Sequence, residues 1–179
     1  MKLKLLSAVV ALQVLWILVT AASHERVLRE APTVLLRTAP VDPRDLIRGD
    51  YVTLGYDISS MSKSSFVPML VNAPEPGTEV YVVLEPNGKF HRLAYASLAP
   101  VQPVNGQRVI RGTVARSWGG EAVRITYGIE KYFVREGTGN PQGVVTVEVA
   151  LPASGEPTIK EVFVNGRPYR EAMRNVRVP

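Results

Sequence analysis

The sequence contains no cysteine and only two histidines, His24 and His91, far apart along the chain. The first absence rules out disulfides and thiolate chemistry and fits any redox compartment. The second leaves too few nitrogen ligands for a dedicated zinc or iron site. No run of lysine or arginine is interleaved with aromatic side chains, which make up 7% of the residues. The formal charge of +5 therefore does not mark nucleic acid as a partner. Neither a phosphate-cradling G-x-x-x-x-G-K-[ST] loop nor a G-x-S-x-G elbow is found, and nothing points to a cofactor. At 179 residues the chain has room for one domain and little else.

What is present first is a long hydrophobic run, "MKLKLLSAVVALQVLWILVTAAS". From Leu5 to Ala22 it is interrupted only by Ser7, Gln13 and Thr20. As a helix it spans roughly 27 Å, close to the ~30 Å of a bilayer core. The apolar part of a cleavable signal peptide is shorter, about 7–15 residues, so the length favours a retained anchor. Lys2 and Lys4 precede the span and hold the N-terminus in the cytoplasm. The expected organisation is a cytoplasmic N-terminus at 1–4, a transmembrane signal-anchor helix at 5–22, a helical stalk at 23–32 and a β-rich extracytoplasmic domain at 33–179. In the stalk "SHERVLREA", Glu25 with Arg29 and Arg26 with Glu30 are spaced to pair along a helix that Pro32 ends.

Beyond Pro32 the pattern alternates with period two and is punctuated by Pro, Gly and Asn-Gly. Strands are expected at 33–39, 50–58, 79–85, 89–97, 108–116, 121–128, 143–151 and 158–165, and short helices at 60–66 and 169–175. Asn87-Gly88, Asn105-Gly106 and Asn165-Gly166 are turn signals. The fold class is mainly β: a single antiparallel β-sandwich or partly open barrel preceded by one N-terminal transmembrane helix.

One stretch, "PVDPRDLIRGDYVTLGYDIS" (40–59), concentrates charge and aromatics. Asp42 before Pro43 suits the start of a helical turn, Asp45 falls in its first turn, and Gly49 ends it. From Tyr51 the alternation puts Val52, Leu54, Tyr56 and Ile58 on the core face. Asp42, Arg44, Asp45, Arg48, Asp50 and Tyr51 remain as either a self-satisfied clamp of ion pairs or a surface offered to a partner, arginine and tyrosine being residues that carry interface energy. Here the chain resembles the bacterial proteins named for a GDYxxLxY motif, which Gly49, Asp50, Tyr51, Leu54 and Tyr56 match. A second stretch, "YGIEKYFVREG" (127–137), is similar to another segment of that group, through Tyr127, Gly128, Glu130, Tyr132, Phe133 and Glu136. The alternation places Ile125, Tyr127, Ile129 and Phe133 toward the core, with Glu130, Lys131, Arg135 and Glu136 solvated. In an alternative arrangement Tyr132 and Phe133 line a groove beside the first motif. The resemblance implies a membrane-associated bacterial protein of unassigned biochemical function; with the orientation set by Lys2 and Lys4, the expected placement is the bacterial inner membrane, single-pass, with the C-terminal domain in the periplasm. The resemblance also implies a polytopic membrane protein as companion, and it supplies no catalytic residues.

The stretch "SSMSKSS", with Ser60 and Lys63, carries the residue types of a serine/lysine hydrolase. In membrane-anchored signal peptidases the serine precedes the Gly-Asp strand and the lysine arrives later on a separate strand. Here both follow it, and adjacency in sequence supplies no positioned base. Asp42, Asp45, Asp50 and Asp57 lie too close to each other and to arginines to form an acid/base pair for glycoside chemistry. The leading expectation is thus a membrane-anchored extracytoplasmic binding or accessory domain, partner to a membrane protein. The alternative is a β-rich membrane-anchored hydrolase of serine/lysine or carbohydrate-processing type.

Overall fold

The structure, a computed structural model, describes residues 2–38, 51–104, 106–115, 122–134, 141 and 143–174. The chain divides into two compact units, Met1–Ala31 and Pro32–Pro179. The first is a single helix, α1 (Lys2–Glu30), long and apolar enough to cross a membrane. Leu12 and Trp16 are 68% and 73% exposed, so its apolar side chains face no protein core. The hydroxyls of Thr20 and Ser23 donate to the carbonyls of Trp16 and Thr20, at 2.9 and 2.8 Å, so each is satisfied within its own helix. Arg29 pairs with Glu25 and Arg26 with Glu30, each at 2.7 Å. Both pairs are exposed and screened by solvent, so they add little to the helix.

The second unit is mainly β, and every ladder between its described strands is antiparallel. Its strands are β1 (Thr33–Arg37), β2 (Tyr51–Thr53), β3 (Ser60–Ser62), β4 (Glu79–Asn87), β5 (Phe90–Ser97), β6 (Arg108–Val114), β7 (Ala122–Thr126), β8 (Lys131–Phe133), β9 (Val145–Ala150), β10 (Thr158–Val164) and β11 (Arg167–Pro168), followed by the short helix α2 (Tyr169–Ala172). They form a four-stranded sheet in the order β1-β9-β10-β11, a two-stranded ribbon β2-β8, and a five-stranded sheet β3-β7-β6-β4-β5. The last of these curls into a half-barrel. Its two edges are β3 and β5, yet a single 3-10 turn, Lys63–Ser65, carries the chain from Ser62 to Phe66, which bridges Ala96 of β5. The inward faces of the strands supply the core: Val34 and Leu36, Val80, Val82 and Leu84, Ile110, Val123 and Ile125, and Val147 and Val149 are all essentially inaccessible.

Two hairpins show why the turn signals mattered. Asn165 and Gly166 have φ of +51° and +79° and join Val164 to Arg167 by the two-residue turn in which both residues are left-handed. In the β4–β5 hairpin the last pair is Asn87 with Phe90, so the loop is Gly88-Lys89 and only Gly88 has positive φ, +62°. Asn87 belongs to the strand, and the glycine takes the first loop position, as in a type II′ turn.

Some elements differ from the sequence pattern. The strand expected over 50–58 is hydrogen-bonded as β2 only to Thr53; the chain then stays extended, Tyr56 bridges Thr38, and Asp57–Ser59 is a 3-10 turn. The segment 60–66 is strand β3 followed by the Lys63–Ser65 turn rather than a helix. The region after Gly128 forms strand β8, with Phe133 75% exposed instead of in the core. Asp42, Arg44, Asp45, Arg48, Gly49, Asp50, Arg135 and Glu136 lie outside the described residues.

Candidate functional site

The two motif segments meet. β2 pairs with β8 so that Tyr51 faces Phe133, Val52 faces Tyr132 and Thr53 faces Lys131, and beyond the ladder the Leu54 amide donates to the Glu130 carbonyl at 2.7 Å. Neighbours across an antiparallel ribbon share a face. Tyr51, Thr53, Lys131 and Phe133 therefore form one surface and Val52 with Tyr132 the other. On the outer surface the Tyr51 and Phe133 rings meet edge to face, with centroids 6.1 Å apart, and the Lys131 ammonium lies 4.9 Å from the Tyr51 ring. On the inner surface Val52 is buried, and Tyr132 packs at 5.4 Å against Tyr169, the first residue of α2.

Below this ribbon the motifs are latched reciprocally. The Tyr56 hydroxyl donates to the Ile129 carbonyl and the Tyr127 hydroxyl donates to the Ile58 carbonyl, each at 2.7 Å and each buried. The two rings meet edge to face at 6.4 Å. Glu130 completes the turn: its carboxylate accepts the amides of Tyr127, at 2.5 Å, and Gly128, at 2.9 Å. Gly128 has φ of +81°, a conformation glycine adopts without penalty. Glu130 thus has an anchoring role, although alternation alone placed it in solvent. The signal for it was the glycine two residues earlier, marking a bend whose free amides need an acceptor.

The electrostatics agree with this division. Burial, and secondarily the Glu130 charge, push the Tyr56 and Tyr127 hydroxyls far above the ordinary tyrosine range, so both remain neutral donors. Tyr132 is raised by burial and Glu161, and partly offset by Arg170, which hydrogen-bonds to it. Among the described residues, no three His, Asp or Glu side chains gather in a way that would hold a metal ion. The candidate serine/lysine pair is not assembled: Lys63 Nζ donates to the Val71 carbonyl at 3.3 Å, Ser62 and Ser64 bond each other at 2.9 Å, and Ser60 is exposed.

Of the residues singled out in the sequence, Leu54, Tyr56 and Tyr127 lie in the core, Gly128 and Glu130 in the turn, and Tyr51 and Phe133 on the outer face of the ribbon. Thr53 and Lys131 join that face and were not singled out, because only the cross-strand register identifies them. A family model described as "GDYXXLXY protein" matches residues 13–162. No curated protein and no solved structure matches.

Proposed function

The chain belongs to the GDYXXLXY family, and from that premise we propose that it is a membrane-anchored, extracytoplasmic accessory domain that docks on a membrane protein through the outer face of the β2–β8 ribbon. The observation that carries this reading is the division of labour within the two motifs. Leu54, Tyr56 and Tyr127 are consumed by the core, whereas Tyr51, Phe133 and Lys131 converge on one accessible surface. Aromatic anchors beside a cation are the side chains that dominate interface energies. Lys2 and Lys4 before the apolar helix favour a cytoplasmic N-terminus and hence a domain across the membrane, in the periplasm of a bacterium.

The test is affinity purification of the full chain in mild detergent from its native membrane. A polytopic membrane protein is expected to co-purify, and the Tyr51→Ala, Phe133→Ala double variant is expected to lose it while keeping a native circular dichroism spectrum. Monodisperse protein with no stable companion, or a companion retained undiminished by the double variant, refutes the proposal.

A further inference from the structure

Strands β1 and β5 lie beside each other where the four-stranded sheet meets the half-barrel, but no hydrogen-bond ladder joins them. At this seam the end of β1, the Asp57–Ser59 turn and the β4–β5 hairpin enclose a cleft of about 140 Å³, whose polar lining is Arg37, Asp57, Asn87, His91 and Arg92. A cleft of that size suits a small polar ligand rather than a polymer or a large cofactor.

The lining is rich in donors. Arg37 lies 4.3 Å over the Phe90 ring, which orients its guanidinium, and it has no carboxylate partner among the described residues. Arg92 bonds Glu85 at 2.7 Å through one side of its fork. His91 Nδ1 is buried and without a hydrogen-bond partner among the described residues. Burial and the nearby Arg108 hold the imidazole below its ordinary range, so near neutral pH it contributes polarity without a further charge. Around the cleft, Lys89 Nζ lies 5.2 Å from the Phe90 ring centroid, so that with Arg37, Arg92 and Arg108 the cations outnumber the carboxylates Asp57 and Glu85 among the described residues. Donors reaching in from separate elements match a tetrahedral oxyanion better than a planar carboxylate, which pairs best with one fork. Asp57, the carboxylate in the lining, suits a hydroxyl on the same ligand.

We propose that the seam cleft binds a small phosphate ester carrying a hydroxyl group, with Arg37 as its principal anchor and Asp57 accepting from the hydroxyl. This site is separate from the β2–β8 face and does not depend on the docking reading. Such an ester exists both as a free solute and as a lipid headgroup.

The test is isothermal titration of the full chain in dodecyl maltoside micelles, which carry no phosphate, with glycerol 1-phosphate, inorganic phosphate and glycerol. Saturable binding is expected for glycerol 1-phosphate, weaker binding for phosphate and none for glycerol. Arg37→Gln is expected to weaken binding about tenfold or more, as loss of a charged hydrogen bond does. Asp57→Asn should affect glycerol 1-phosphate alone, and Arg111→Gln, whose side chain pairs elsewhere with Glu79 and Glu156, should change nothing. Adding phosphatidylglycerol to the micelles assigns the source: displacement of the soluble ester identifies a headgroup site, and undiminished binding identifies a solute site. Absence of saturable binding by either phosphate, or an affinity that Arg37→Gln leaves unchanged, overturns the proposal.

Discussion

Replacing Tyr56 by phenylalanine removes one oxygen atom and leaves the ring in place against Tyr127, at 6.4 Å. Tyr56 is only 2% exposed, so water does not reach the Ile129 carbonyl that loses its donor. Leaving such a group unsatisfied costs about 1–3 kcal/mol. For a chain of this size each kcal/mol lowers Tm by about 2–4 °C. Tyr127→Phe, which orphans the Ile58 carbonyl, should cost a similar amount. Because the two rings touch, the double variant should depart from additivity by about 0.5 kcal/mol or more. The matched control is Tyr51→Phe, the same loss of a hydroxyl from a residue on the outer face, where surface changes stay within about 0.5 kcal/mol. The assay is urea unfolding of the full chain in detergent followed by near-ultraviolet circular dichroism, with the slope m checked for constancy so that the midpoints report stability. Unchanged midpoints for both Tyr56→Phe and Tyr127→Phe, or equal damage from Tyr51→Phe, would refute the assignment of the motif's last tyrosine to the latch.

Raised tyrosine values also make the fold sensitive to alkali. Tyr56 and Tyr127 stay protonated in the folded state above the ordinary value of about 10 at which the unfolded chain ionises. Their contribution is complete below about pH 10 and is lost as pH rises above it, by about 1.4 kcal/mol per pH unit for each group. Unfolding midpoints measured from pH 8 to 11 should therefore fall more steeply in the parent protein than in Tyr56→Phe. Glu130→Gln replaces one carboxylate oxygen by an amide donor facing the Tyr127 or Gly128 amide, and should lower stability by at least about 1 kcal/mol in the same urea assay. At Gly112 a Cβ would stand 2.6 Å from Ile125 Cγ2 and 2.8 Å from the Thr126 carbonyl oxygen. Gly112→Ala is accordingly expected to cost about 1–3 kcal/mol by overpacking, visible as a lower thermal midpoint.

The parts of the fold that alternation made legible are those where one strand face meets one core. Val52, Leu54, Tyr56 and Ile58 were assigned inward from their spacing alone, and all four are buried. The same logic failed at Phe133, for a local reason. Ile125, Tyr127 and Ile129 are buried at odd positions, but the turn that Glu130 closes shifts the pattern by one residue after Ile129, so that Tyr132 turns inward and Lys131 and Phe133 turn out. A one-residue shift reverses every face that follows it. Periodicity carries no information across such a bend, and the seam between β1 and β5 was equally invisible, because no sequence pattern tells which strands of two sheets will lie side by side without pairing.

The spacing of the motif acquires a physical meaning from this geometry. Leu54 and Tyr56 are two apart and share the inward face, while Tyr51, an odd number of residues from both, is placed outward by the same extended backbone. Tyr56 must be a tyrosine because the inward face at that point ends on a backbone carbonyl, that of Ile129, in a bend whose amides are already committed to Glu130. A phenylalanine would fill the same volume and leave the carbonyl stranded. Tyr51 bears no such constraint from the core, since its ring edge and the Lys131 contact lie on the surface. Among the described residues nothing bonds the Tyr51 hydroxyl, in contrast to that of Tyr56. The latch and the outer face therefore separate experimentally: changes at Tyr56 and Tyr127 should register in stability, and changes at Tyr51 and Phe133 in what the domain holds.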